Sequence, residues 1–203
     1  MARLIFVLGN PGTGKSSSLR SLKKADVAYI TITGKELPFK TDIVPKTVKQ
    51  MTDVRGMVVA SKKPIVVIDD VNYLFTREVF SDHGKKNPFE VYDALSKEFF
   101  NIIMAIQNKE TDQNFYLMGH LEDPDSSMRA LKTLGQATRK NNNPEGWTNI
   151  VLESVVDMDE FVFKAKTDGT GVKSPIDMFG TEAVPNDLKV VNDQINAYYT
   201  GGK

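Results

Sequence analysis

The chain contains no cysteine among its 203 residues, which excludes disulfides, thiol nucleophiles and cysteine-bound metals. Histidine is nearly as scarce. His83 and His120 are the only two, too few for a zinc site without carboxylates. Charge of one sign is missing as well: Lys and Arg number 26, Asp and Glu 26. A protein that coats nucleic acid by bulk charge is therefore excluded, whereas a local basic face is not. No apolar run approaches the roughly 20 residues of a membrane helix. The N-terminal apolar run is too short for a secretory leader, so the expectation is a cytoplasmic protein without membrane contact. What is present is ordinary for a globular fold, with 40% hydrophobic residues. With no repeat and no linker, one α/β domain is expected over residues 1–200, with 201–203 as a frayed tail.

One stretch organises the rest: Gly9-Asn10-Pro11-Gly12-Thr13-Gly14-Lys15-Ser16. It follows the apolar run Leu4–Leu8 and precedes a segment that reads as a helix over 15–24. This is the strand, glycine loop, helix order of a phosphate-binding loop. Glycines let backbone N–H groups turn toward an anion with no Cβ in the way. The helix points its positive end at the phosphates. Lys15 adds a charge for the β and γ phosphates, Ser16 offers a hydroxyl to magnesium, and Ser17 completes the binding set. ATP and Mg²⁺ are the expected ligands.

The remaining chain reads as strands alternating with helices. Val27–Thr33 is a second strand, and a weakly patterned helix is expected over 47–60. Pro64–Asp70 is the clearest strand, with four apolar residues running into two carboxylates. Residues 76–87 are polar, and 82–86 predict an exposed, mobile loop. A long helix then starts with Asn87 as cap, Pro88 in its first turn and Glu90 completing a capping-box-like pair. Its apolar face is Tyr92, Leu95, Phe99, Ile102, Ile103 and Ile106. Phe115–His120 is a strand, 121–143 a polar stretch with helix around 128–134, and 141–144 a loop. Residues 147–156 and 160–166 are strands, and 187–199 a terminal helix.

Several side chains then have a place. Asp69, at the end of an apolar strand, can hold magnesium beside Ser16. Asp70 can polarise the attacking water, or merely bond a neighbouring loop; Glu36, just past the second strand, is the rival base. His120 sits at the carboxyl end of its strand, the edge where open α/β sheets bind ligands, and can sense a γ-phosphate. Residues 121–147 carry Arg129, Lys132, Arg139 and Lys140 with the aromatic Trp147, a combination suited to single-stranded nucleic acid.

The loop Gly9–Ser16, the strand Ile65–Asp70 and the strand ending Gly119-His120 resemble the RecA-like P-loop ATPases. More narrowly, the chain resembles small ATP-binding proteins of tailed phages of Gram-positive bacteria. That likeness rests on Ile68-Asp69-Asp70, Lys132-Thr133-Leu134-Gly135, Glu145-Gly146-Trp147, Lys173-Ser174-Pro175 with Met178-Phe179, and Pro185–Lys189. Such proteins are similar to phage single-strand annealing ATPases. The resemblance implies a RecA-like fold with a mainly parallel sheet and helices on both faces, and a slow ATPase acting on single-stranded DNA in recombination or replication. It also implies a homo-oligomer with nucleotide at the subunit interface, where a lysine from the neighbour completes the site. Lys173 is the candidate there, with Lys164 and Lys166 as alternatives. Phage replication or single-strand-binding proteins are the expected partners, in the cytoplasm of a bacterial host. The departure from that pattern is the absence of a Glu ending the second strand, where Thr31-Ile32-Thr33 stands instead. The competing readings are an ATP-dependent adaptor or helicase loader, and a small-molecule phosphotransferase.

Overall fold

The computed structural model describes residues 1–82, 87–134 and 143–201. The expected loop at 83–86, part of the loop at 141–144, Gly135, Arg139, Lys140 and the last two residues lie outside them. Eight strands form one sheet. They are β1 (Arg3–Leu8), β2 (Val27–Thr31), β3 (Lys46–Thr47), β4 (Ile65–Asp69), β5 (Asn114–Gly119), β6 (Ile150–Asp157), β7 (Glu160–Lys164) and β8 (Ala183–Pro185). Their spatial order is β3-β2-β4-β5-β1-β6-β7-β8. All pairings from β3 through β6 are parallel, and β7 and β8 add on antiparallel. The helices are α1 (Met51–Ala60), α2 (Asn72–Asp82), α3 (Pro88–Gln107) and α4 (Leu188–Thr200).

The continuous apolar strands are explained by burial on both faces, as a mainly parallel sheet requires. Side chains alternate across a strand. Leu4, Phe6 and Leu8 of β1 therefore pack with α1, α2 and α3, while Ile5 and Val7 pack with α4 and Leu19. The long helix begins as expected, with the Asn87 side chain accepting from the Phe89 N–H. Because β5 lies between β1 and β4, the carboxyl ends of these three strands converge: the phosphate loop, His120 and the Asp69-Asp70 pair meet at one edge.

Four local expectations are corrected. The helix expected over 15–24 is a six-residue 3-10 segment, Ser16–Ser21. Three consecutive serines favour bonds to their own backbone, and the Ser18 hydroxyl donates to the Lys15 carbonyl. Residues 76–82, read as a polar stretch running into a loop from Asp82, belong to α2, whose charges have tertiary partners. Arg77 Nη1 donates to the Ile32 carbonyl at 3.2 Å, and Glu78 accepts the Met51 N–H that opens α1. Residues 128–134 are not helical. Leu121 and Leu131 form an antiparallel bridge, and the backbone doubles back on the end of β5. The strand expected from Trp147 begins only at Ile150, after a 3-10 turn at Pro144–Trp147.

Candidate functional site

The loop between β1 and the 3-10 turn is shaped by its glycines. Gly12 and Gly14 have φ of +83° and +88°, in the left-handed region that disfavours a Cβ. A Cβ on Gly14 would also stand 2.8 Å from the Phe161 ring, while around Gly12 the space is open. Thr13 is pinned from two sides: its hydroxyl donates to the Asn10 carbonyl at 2.9 Å, and its own carbonyl accepts from Ser154 Oγ at 2.6 Å. Pro11 and Gly12 form the exposed crest.

Lys15 is buried and bends back over the loop. Its Nζ donates to the Gly9 and Asn10 carbonyls at 2.8 and 2.9 Å. Burial lowers its pKa, with Asp69 and Asp70 acting against that. An ammonium held by two neutral carbonyls is under-compensated, so an anion arriving at the loop would find it ready. The short 3-10 turn weakens the expected helix-dipole contribution, which leaves the loop N–H groups and Lys15 as the main phosphate anchors.

Asp69 is the structural hinge of the metal half. Its Oδ2 accepts from Ser16 Oγ at 2.8 Å and from the Tyr29 hydroxyl at 2.9 Å, and its Oδ1 accepts the Asp70 N–H at 2.9 Å. Burial raises its pKa, and the neighbouring Asp70 charge adds to that. Tyr29 was missed by the sequence reading. A tyrosine in an otherwise apolar buried strand needs a partner for its hydroxyl, and that signal was available. The donor set fits magnesium, which keeps several waters and takes one or two protein oxygens beside substrate phosphates. Ser16 and Asp69 would hold it. Among the described residues no group of three His, Asp or Glu side chains is placed to hold a metal ion by itself, and this mode of binding requires none.

Asp70 stands at φ +61°, a left-handed conformation that Asp tolerates better than most residues. Its Oδ2 accepts from Thr33 Oγ1 at 3.0 Å, and its Oδ1 lies 3.6 Å from His120 Nε2. The threonine that ends the second strand's run, noted as a departure from the family pattern, thus supports Asp70. Glu36 is exposed, and no bond among the described residues ties it to this cluster. Burial and Lys15 lower the His120 pKa, so the imidazole is neutral at pH 7; Asp70 acts in the opposite direction. If Asp70 is the base, Asp70→Asn abolishes steady-state phosphate release while Glu36→Gln retains it, and Thr33→Ala falls between. The reverse ranking assigns the base to Glu36.

The remaining candidates are dispersed. Arg129 Nε pairs with Glu153 at 2.6 Å, so it is not a free surface cation. Lys132 is exposed, and its N–H donates to the His120 carbonyl at 2.7 Å. It also lines a cavity of about 250 Å³ with Asn10, Pro11, Tyr73, His120 and Thr133. Trp147 packs on Phe100, and the neighbouring Thr148 hydroxyl donates to the Leu4 carbonyl near the opposite end of β1 from the loop. It does not join Lys132. Lys173, the candidate for the neighbour's lysine, has its N–H and carbonyl both paired with Val151, at 3.0 and 2.8 Å, and burial lowers its ammonium pKa against the pull of Glu145. Ser17 lines a cavity of about 640 Å³ with Arg20, Phe39, Phe161 and Asn186.

A glycine loop with its lysine, a serine hydroxyl on a strand-end aspartate and a second acid beside a neutral histidine define a P-loop ATPase. The chain belongs to the AAA family: the model of the ATPase family associated with various cellular activities matches residues 5–145. That span holds the loop, Asp69, Asp70 and His120. A search of curated proteins finds no match. No helix among the described residues is long and apolar enough to cross a membrane.

Proposed function

We propose that this ATPase is RecA-like, of phage origin, and that it uses slow ATP hydrolysis to act on single-stranded DNA in recombination or replication. One observation carries the reading. His120 faces Asp70 with its side chain and holds Lys132 with its carbonyl, so a change at the nucleotide site is transmitted directly to the basic segment. In this scheme Lys15 and the loop N–H groups hold the phosphates, and Ser16 and Asp69 hold magnesium. Magnesium, when bound, neutralises charge on the phosphate oxygens. Asp70, steadied by Thr33 and His120, orients the attacking water and accepts its proton. The cavity lined by Arg20, Phe39 and Phe161, beside the turn that follows the loop, would take the base of ATP. The protein works in the bacterial cytoplasm as a homo-oligomer with nucleotide between subunits, alongside phage replication or single-strand-binding proteins. A role for Lys173 in the neighbouring site requires its side chain to reach outward from a backbone paired with Val151.

The adaptor reading has an observation in its favour. With Arg129 paired and Trp147 packed elsewhere, Lys132 alone among the described candidates offers a free cation to DNA. Binding of oligothymidylate decides between them. The DNA reading expects Lys132→Ala, Arg139→Ala and Lys140→Ala each to weaken binding, and the slope of log affinity against log salt to fall by about 0.7 for each lost contact. It also expects phosphate release to rise when oligothymidylate is added. No binding by the wild type with Mg-ATP at low salt favours the adaptor.

A further inference from the structure

Two exposed features at opposite ends of the sheet are unexplained by nucleotide binding. The first is the tip of the β6–β7 hairpin. Asp157 pairs with Glu160, and the two residues between them, Met158 and Asp159, have φ of +46° and +66°. Such turns favour Asn and Gly, and methionine there is strained. Met158 is 93% exposed and Val156 is 53% exposed, so the strain is spent on presenting an apolar knob to solvent. Asp157, Asp159 and Glu160 surround it, all exposed, and none has an ion pair among the described residues.

The second is a groove of about 490 Å³ beside β2. β3 pairs only with Ile30 and Thr31, which leaves the outer edge of β2 open over residues 27–29. Val44, Ala28 and Met57 give the groove an apolar surface, and Lys24, Lys46, Lys62 and Lys63 rim it with no acid among the lining residues. The charge imbalance is regional: residues 20–63 carry ten Lys and Arg against four Asp and Glu in a chain that is neutral overall.

We infer that copies of this chain join head to tail, the Met158 tip of one seated in the lysine-rimmed groove of the next. This deepens the assembly proposed above and rests on it. Methionine is flexible and polarisable, suited to an irregular apolar gap, and the acids around it meet lysines. The two surfaces lie on opposite flanks of the sheet, so one copy cannot satisfy both by itself. The contact is heterologous, and it extends into a ring or a filament. The groove offers no exposed aromatic ring among its lining residues on which a base could stack, which favours the protein tip over a nucleic acid. The hairpin also reaches the nucleotide site. Phe161, one residue past Glu160, lies over Gly14 of the phosphate loop, so docking of the tip is coupled to nucleotide.

The test is sedimentation velocity of the full chain with Mg-ATP and oligothymidylate, comparing wild type, Met158→Glu and Lys46→Glu/Lys62→Glu. Each altered chain is expected to sediment as a monomer with the melting temperature of the wild-type fold. Mixed, they form a one-to-one dimer and nothing larger, because the pair retains one intact tip and one intact groove. Assembly of either altered chain to the wild-type size overturns the interface while leaving self-assembly standing. A mixture that stays monomeric overturns the pairing of the two surfaces. A wild type that is monomeric throughout overturns self-assembly itself, and loss of oligothymidylate binding in the lysine variant of a monomeric chain makes the groove a nucleic-acid surface.

Discussion

Lys15→Ala is expected to lower ATP affinity by about two orders of magnitude, near 3 kcal/mol, while leaving the fold in place. The size of the loss follows from what the ammonium does in each state. Without an anion it donates to two neutral carbonyls, and burial already lowers its pKa. It is therefore worth little to stability where it stands. Against a triphosphate the same buried charge forms charge-assisted bonds at low local dielectric. The weak contribution of the six-residue 3-10 turn increases the dependence on this one side chain. Calorimetric titration of wild type and variant with Mg-ATP measures the affinity, and thermal unfolding checks that the fold survives. Equal affinities would remove the loop from the site.

Asp69→Asn is expected to abolish magnesium-dependent turnover and, at neutral pH without nucleotide, to raise the melting temperature. The carboxylate is buried against another acid, and its pKa is raised for that reason. The sign follows from linkage. A carboxyl with a raised folded-state pKa contributes stability that is fully present below its unfolded value and lost as pH rises through the folded value. Burying this carboxyl thus costs stability at neutral pH, and Asn removes that cost while its oxygen can still accept from Ser16, Tyr29 or the Asp70 N–H. A gain of about 1 kcal/mol corresponds to about 2–4 °C for a chain of this size. The gain shrinks in acid, where Asp69 is protonated anyway. Turnover is lost because the metal loses its charged ligand. A variant that is both less stable at pH 7 and still active with magnesium would show that Asp69 serves the fold and not the metal.

The parts of this site legible in the sequence were those that sit on buried strands. The inner runs of β1, β4 and β5 are apolar because both faces are covered, and a polar residue after such a run has one place to be, the carboxyl edge of the sheet. Asp69, Asp70 and His120 were placed on that logic, and Gly9–Ser16 on its motif between strand and helix. What failed were segments whose polar residues are satisfied by distant partners. Arg77 and Glu78 read as a merely polar stretch because their partners, the Ile32 carbonyl and the Met51 N–H, are remote in sequence. Residues 128–134 read as helix because the Leu121–Leu131 bridge leaves no local pattern. Arg129 read as a surface cation because Glu153 lies on a strand 24 residues away. That Tyr29 needed some partner was legible, but that the partner is Asp69, and that Thr33 supports Asp70, could be known only once β2 was paired with β4.

The most direct measurement is a crystal structure with magnesium and a non-hydrolysable ATP analogue. The account predicts that Lys15 Nζ leaves the Gly9 and Asn10 carbonyls for the phosphates, that the metal sits between Ser16 and Asp69, and that Asp70 and His120 face the terminal phosphate. A nucleotide bound elsewhere, with Lys15 still on those two carbonyls, would contradict it.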